Sequence, residues 1–159
     1  MCIGMDESPK LDEVQFREIN LIQDVIKRMA NNSFLIKGWA VTLVVITMLL
    51  RGTNTQILIA FIPVIAFWIL DAYYVRQERM YRELYKWVIT NRLSSNEHMY
   101  DLNARRFEND VDSIPATMIS ITLLCFYGTI LLILAASVAV LYILPAPTAQ
   151  MIINATGGF

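Results

Sequence analysis

The stretch FWILDAYYVRQERMYRELYKW, Phe67 to Trp87, changes solvent halfway along its length. Its first residues are apolar enough for the interior of a bilayer. From Arg76 onward, charged residues alternate with bulky apolar ones at helical spacing, the pattern of a helix with one wet face. An aspartate, Asp71, stands where the apolar part ends. A helix that leaves lipid and continues into water predicts an all-α integral membrane protein with a cytoplasmic helical extension.

The rest of the chain agrees with that reading. Of 159 residues, 56% are hydrophobic, and they fall into blocks from which charges are almost wholly excluded. Three blocks predict three transmembrane helices, a hairpin over 34–74 (spans 34–50 and 57–74) and a third span over 117–144. The first is at the lower limit for crossing hydrocarbon, roughly 25 Å of helix. Within it Lys37 sits one turn inside and can snorkel back to the headgroups, and Trp39 suits the interface. Pro63 in the second is tolerated where neighbours satisfy the freed carbonyl. The third, about 42 Å as a helix, exceeds the hydrocarbon and is expected to tilt or project. Pro145 and Pro147 end it, leaving 145–159 as an extracytoplasmic tail without charged side chains.

Ahead of the first span, residues 1–33 predict a cytoplasmic amphipathic helix. Ser8-Pro9 is a helix start, and Leu11, Val14, Leu21, Ile22, Val25, Ile26 and Met29 recur at helical intervals. Asn31-Asn32-Ser33 is read as a polar knot before the span. The acidic opening MCIGMDESPK lacks the apolar core of a cleavable signal, so the first span is expected to stay as an anchor. Five lysines and arginines precede residue 38, one lies in the turn at 51–56, seven lie in 75–116 and none follows. The positive-inside rule then puts the N-terminus and the central segment in the cytoplasm and the C-terminus outside.

The central segment, 75–116, divides by charge. Arg76 to Arg92 carries a local +3 and Leu93 to Asp112 a local −3, with a turn expected at Ser94-Ser95-Asn96. A second helical piece is expected to return from it to the third span. Basic residues just inside a membrane usually meet lipid phosphates. Arginines interleaved with tyrosines and a tryptophan also supply the phosphate contacts and stacking surfaces that nucleotides or single-stranded nucleic acid need. Tyr74, Tyr81, Tyr85 and Val88 form an adjoining face suited to packing between subunits. Asp71, close in height to Arg76 and Lys37, is either a structural ion pair or part of a cation-attracting ring at a pore mouth.

In the third span Ser113, Thr117, Ser120, Leu124, Gly128, Leu131, Ala135 and Ala139 recur at three and four residues. Small and hydroxylated residues let helices pack closely. The same stripe suits a pore wall, polar near the cytoplasm and narrowed by Leu124 and Leu131, where a hydrophobic constriction gates by dewetting.

Catalysis is not expected. There is no nucleophile set, no glycine-rich phosphate loop and no metal or cofactor motif, and Cys2 and Cys125 are too far apart to read as a metal pair. The single histidine, His98, reads as a solvated loop residue. Three unlike spans show no repeat of the kind secondary transporters carry. Nor can three helices enclose a water path alone, so any conducting form must be a homo-oligomer.

The runs IQDVIKRMANNSFLIKGWAVTLVV (22–45) and FWILDAYYVRQERMYRELY (67–85) resemble a family of small bacterial multi-pass membrane proteins encoded in defence and mobile-element loci. Within that group the chain is similar to the membrane effectors of the Hailong anti-phage system. The resemblance covers roughly residues 20 to 90, and no motif of the third span matches. It implies an oligomeric ion channel held shut by short single-stranded DNA, the product of a partner nucleotidyltransferase, with infection relieving the block and depolarising the membrane. On that reading Lys37, Arg76, Arg79, Arg82 and Lys86 meet the ligand or membrane lipid. The pore-lining candidates, Asp71, Thr117, Ser120, Leu124, Gly128 and Leu131, come from the spacing of the residues themselves. The alternative is a membrane-anchored adaptor whose cytoplasmic helices recruit a soluble partner.

Overall fold

A computed structural model describes residues 8–49, 59–95 and 97–143. Within them the chain is helical, with no strand. Helix α1 runs from Ser8 to Leu49, α2 from Phe61 to Asn91, the short α3 from Ile114 to Met118 and α4 from Ile121 to Ile143. A single 3-10 turn, Ala104–Phe107, interrupts the segment between α2 and α3. The predicted turn at 51–56, the tail 145–159 and Leu144 lie outside the described residues. Two helical stretches, Leu11–Leu49 and Ile121–Ala139, are long and apolar enough to cross a membrane.

The predicted boundary at Asn31-Asn32-Ser33 is not a boundary. The amphipathic helix and the first apolar block form one helix of 42 residues, about 63 Å long. Asparagine and serine are weak helix formers, costing only a few tenths of a kcal/mol each against alanine. That cost is small beside the packing gained by carrying one face of α1 unbroken along α2. The two helices are antiparallel, because their partners advance in opposite directions. Glu18 meets Arg92, Gln23 meets Tyr85, and Ser33 and Lys37 meet Asp71.

Two apolar cores lie along this hairpin, one beyond each end of the Ser33–Asp71 crossing. Ile22, Met80, Leu84, Val88 and Ala104 form the core nearer the N-terminus of α1. Ala40, Val44, Ala60, Val64 and Ala72 join Leu123, Tyr127, Ile130 and Leu134 of α4 in the other. The α4 residues are spaced three and four apart, so a single stripe of that helix faces inward. Tyr81 and Tyr85, read from spacing as facing a second subunit, pack instead against the first of these cores within one chain. Outside, Phe34, Trp39, Val45 and Ile46 of α1, Ile62 and Ile65 of α2, and Ile121 and Leu132 of α4 are exposed. A water-soluble monomer rarely presents so extended an apolar surface.

The return to α4 is mostly not helical. After the turn beyond Arg92 the chain runs irregularly to Ser113, which caps α3 by accepting a hydrogen bond from the Ala116 amide, with Pro115 in the first turn. A break at Ile119-Ser120 separates α3 from α4. Thr117 therefore belongs to α3 rather than to the long apolar helix that was expected to begin with it.

Candidate functional site

Three polar assemblies hold the hairpin together, and they sort the basic residues that spacing alone made look alike. The first lies between the two cores. Asp71 is fully buried. Lys37 Nζ donates to its Oδ2 at 2.6 Å and to Ser33 Oγ at 2.7 Å. Ser33 Oγ in turn donates to Asp71 Oδ1. From α4, the Tyr127 hydroxyl donates to Asp71 Oδ2 at 3.1 Å and approaches the Phe67 carbonyl at 3.3 Å. One carboxylate thus ties α1, α2 and α4 together. Ser33 and Lys37 are four residues apart, so one face of α1 delivers both. An ion of one charge without a partner would be costly here, whereas a paired and hydrogen-bonded one is tolerable. Asp71 pairs with Lys37 and not with Arg76, and its side chain is enclosed within a single chain.

The second assembly closes the far end of the hairpin and was not singled out from the sequence. Arg92 is 1% exposed and Glu18 2%. Arg92 Nε and Nη2 bond the two Glu18 oxygens at 2.6 and 3.0 Å, a fork geometry that only arginine offers. Its remaining donors reach the carbonyls of Ser95, Glu97 and His98, so all five N–H groups are used. Glu18 Oε1 also accepts from the Tyr100 amide at 2.6 Å. This frame holds a loop in which His98 and Tyr100 both have positive φ, 55° and 58°. Such backbone costs about 1 kcal/mol or more per residue and persists where surrounding contacts over-determine it. The only sequence signal was an acid and an arginine, each at the apolar edge of an amphipathic helix.

The third assembly is the basic-aromatic face of α2. Arg79, Arg82, Lys86 and Tyr85 rim an open groove of about 630 Å³ with Glu83, Asp110, Val111 and Asp112. The acidic segment that follows in sequence has folded back onto the basic one. Arg79 bonds Asp112 at 2.6 Å, Arg82 bonds Glu78 at 2.6 Å and Lys86 bonds Glu83 at 2.6 Å. Arg76 is turned away from the groove, donating to the Asp112 carbonyl at 3.0 Å and to Glu108 Oε1 at 3.1 Å. Trp87 is half-buried, with the Arg92 and Arg106 guanidinium groups over its ring at 5.3 and 5.1 Å. Tyr85 is the aromatic side chain left in the groove.

The five basic candidates therefore separate. Arg79, Arg82 and Lys86 share one groove, Arg76 holds the returning segment, and Lys37 belongs to the buried cluster. Of the pore-stripe candidates, Thr117 is buried, Ser120, Gly128 and Leu131 are half-buried and Leu124 is exposed. The break at Ile119-Ser120 puts Thr117 in α3, apart from Leu124, Gly128 and Leu131 in α4. The Thr117 and Ser120 hydroxyl oxygens are buried without a hydrogen-bond partner among the described residues. Compared with protein-family models, curated proteins and solved structures, the chain matches none.

Proposed function

We propose that the protein is an oligomeric ion channel of the bacterial inner membrane, an anti-phage effector that depolarises the membrane and is gated from the cytoplasm by a nucleotide or short single-stranded DNA. In this reading α1, the apolar part of α2 and α4 are three spans, the N-terminus is cytoplasmic and the C-terminus periplasmic. The observation that carries it is the continuity of α2. One helix bears the charged groove at Arg79, Arg82 and Lys86 and, two to four turns earlier, the buried Asp71 that holds α1 and α4. A load placed on the groove reaches the packing of all three apolar helices through a single rigid element. A hydrogen-bonded cluster with two discrete arrangements is the kind of element whose equilibrium a distant ligand can bias.

The test is ion flux from liposomes holding the purified protein, with and without short single-stranded DNA. Flux that the DNA suppresses supports the channel and its ligand. No flux from correctly oriented, oligomeric protein sinks the proposal.

A second reading, the membrane-anchored adaptor, is favoured by one specific observation. Every basic residue of the groove is already matched by a carboxylate, so the surface is patterned rather than positive, as a protein-docking face would be. Replacing Arg79, Arg82 and Lys86 by glutamine separates the two. Under the channel reading the triple variant loses ligand control of flux. Under the adaptor reading it loses retention of a soluble partner, a partner nucleotidyltransferase included, and there is no flux to alter.

A further inference from the structure

The basic helix and the acidic segment after it carry opposite local charge, yet the groove they form is close to neutral. Its rim holds Arg79, Arg82 and Lys86 against Glu83, Asp110 and Asp112. The acidic contribution comes largely from the returning segment. Arg76 grips the backbone of that segment at the Glu108 and Asp112 carbonyls, at 3.3 and 3.0 Å. The backbone is thereby fixed by a side chain that does not face the groove. The Asp112 carboxylate sits on Arg79 at 2.6 Å with 63% of its side chain still exposed. Glu108 on Arg76 is 55% exposed. On Arg79 an anion is thus built into the position that a phosphate would take, on a contact open to solvent and weak enough to exchange.

We propose that Asp112, on Arg79, acts as an internal stand-in for phosphate, with Asp110 adding negative charge to the same rim, and that the groove accepts ligands with two or more linked phosphate groups by displacing the carboxylates that hold its cations, Asp112 on Arg79, Glu78 on Arg82 and Glu83 on Lys86. The proposal rests on the ligand-gated reading above and adds the manner in which the groove is controlled. A single phosphate replaces one anion with another and gains little. A chain of linked phosphates meets Arg79, Arg82 and Lys86 together, so its second and third contacts form at high effective concentration. Arginine also holds phosphate in two parallel hydrogen bonds, as it holds a carboxylate, so Arg79 passes from one partner to the other without rearrangement. Displacement leaves Arg76 and the segment's backbone in place. The stand-in has a further consequence beside a membrane. An uncovered +3 helix would be drawn onto anionic headgroups, and the carboxylates prevent that capture while leaving the groove open to a soluble polyanion.

The experiment compares the wild type with Asp110→Asn/Asp112→Asn, both full-length in detergent, binding a short fluorescent oligothymidylate followed by anisotropy. Asparagine keeps the Asp112 carbonyl that Arg76 uses, and circular dichroism checks that both proteins retain the same helix content. Each exposed carboxylate removed is worth up to about fivefold, so the double variant is expected to bind about tenfold more tightly, with a steeper dependence on salt. Inorganic phosphate at the same phosphate concentration is expected to compete poorly. Equal affinity of the two proteins overturns the stand-in while leaving the ligand reading intact. Binding by neither protein overturns the ligand reading and the stand-in with it. Repeating the comparison in nanodiscs of anionic and of neutral lipid distinguishes the source of phosphate. A gain confined to anionic lipid retention, with no gain for the oligonucleotide, also overturns the proposal.

Discussion

Asp71 and Arg92 illustrate two ways of burying a charge, and they answer differently to substitution. Asp71 accepts from Ser33, Lys37 and Tyr127, which lie on two other helices. Replacing it with leucine strands the Lys37 ammonium and is expected to cost about 3–5 kcal/mol, read from thermal unfolding in detergent. The double variant Asp71→Leu/Lys37→Met removes both charges and should recover most of that loss. If the double is no more stable than the single, the pair is not what holds the site. Arg92→Lys retains the charge and loses the fork, since a lysine supplies three donors where five are in use. The loop at 95–101 should then open, and limited proteolysis should cut there while α1 and α2 survive. Unchanged cleavage would mean that the positive-φ residues His98 and Tyr100 hold the loop without Arg92.

At the scale of the element, the continuity of α1 is the feature on which most else depends. Asn31 is exposed in the middle of a 42-residue helix. Asn31→Ala is therefore expected to stabilise by about 0.5 kcal/mol, because alanine is the better helix former and no contact is lost. Asn32→Pro should cost about 3 kcal/mol or more and separate the two halves of the helix. A neutral effect of that proline would restore the break at 31–33. In the core between α1 and α2, Ile22 and Leu84 are fully buried. Leu84→Ala should cost about 2–5 kcal/mol in chemical unfolding, the usual range for a leucine truncated in a packed interior.

For the whole molecule, the outward surface of α4 tests whether copies meet there. Leu134 faces the core and is fully buried, whereas Cys125 is exposed on the other side of the helix. If α4 helices gather about a common axis in an oligomer, mild oxidation should link Cys125 to its counterpart and give dimers on a non-reducing gel. A Leu134→Cys probe in a Cys125→Ser background should give none. Equal yields from both positions would place α4 away from any shared interface. Apolar side chains are exposed on all three long helices.

The sequence alone determined the helical class and the separation of apolar blocks from charged segments, because hydrophobic periodicity and charge exclusion are local properties of the chain. It also marked Asp71 and Lys37 as neighbours in height, since both lie near the end of an apolar block. It could not place the break at Ile119-Ser120, where a short capped helix precedes the long one, nor distinguish a polar knot from a helix running through it. Asn31-Asn32-Ser33 is weakly unfavourable by propensity, and only the face α1 shares with α2 overrides that preference. Nor could spacing separate Arg79, Arg82 and Lys86 from Arg76 and Lys37, since all five look alike until their partners are known. Those partners are 33 to 74 positions away where it matters most, as with Asp112 for Arg79 and Glu18 for Arg92. Pairing over such distances depends on which helices meet and in which direction. Tertiary packing decides that, and it turned a segment with two opposite charges into a single balanced groove.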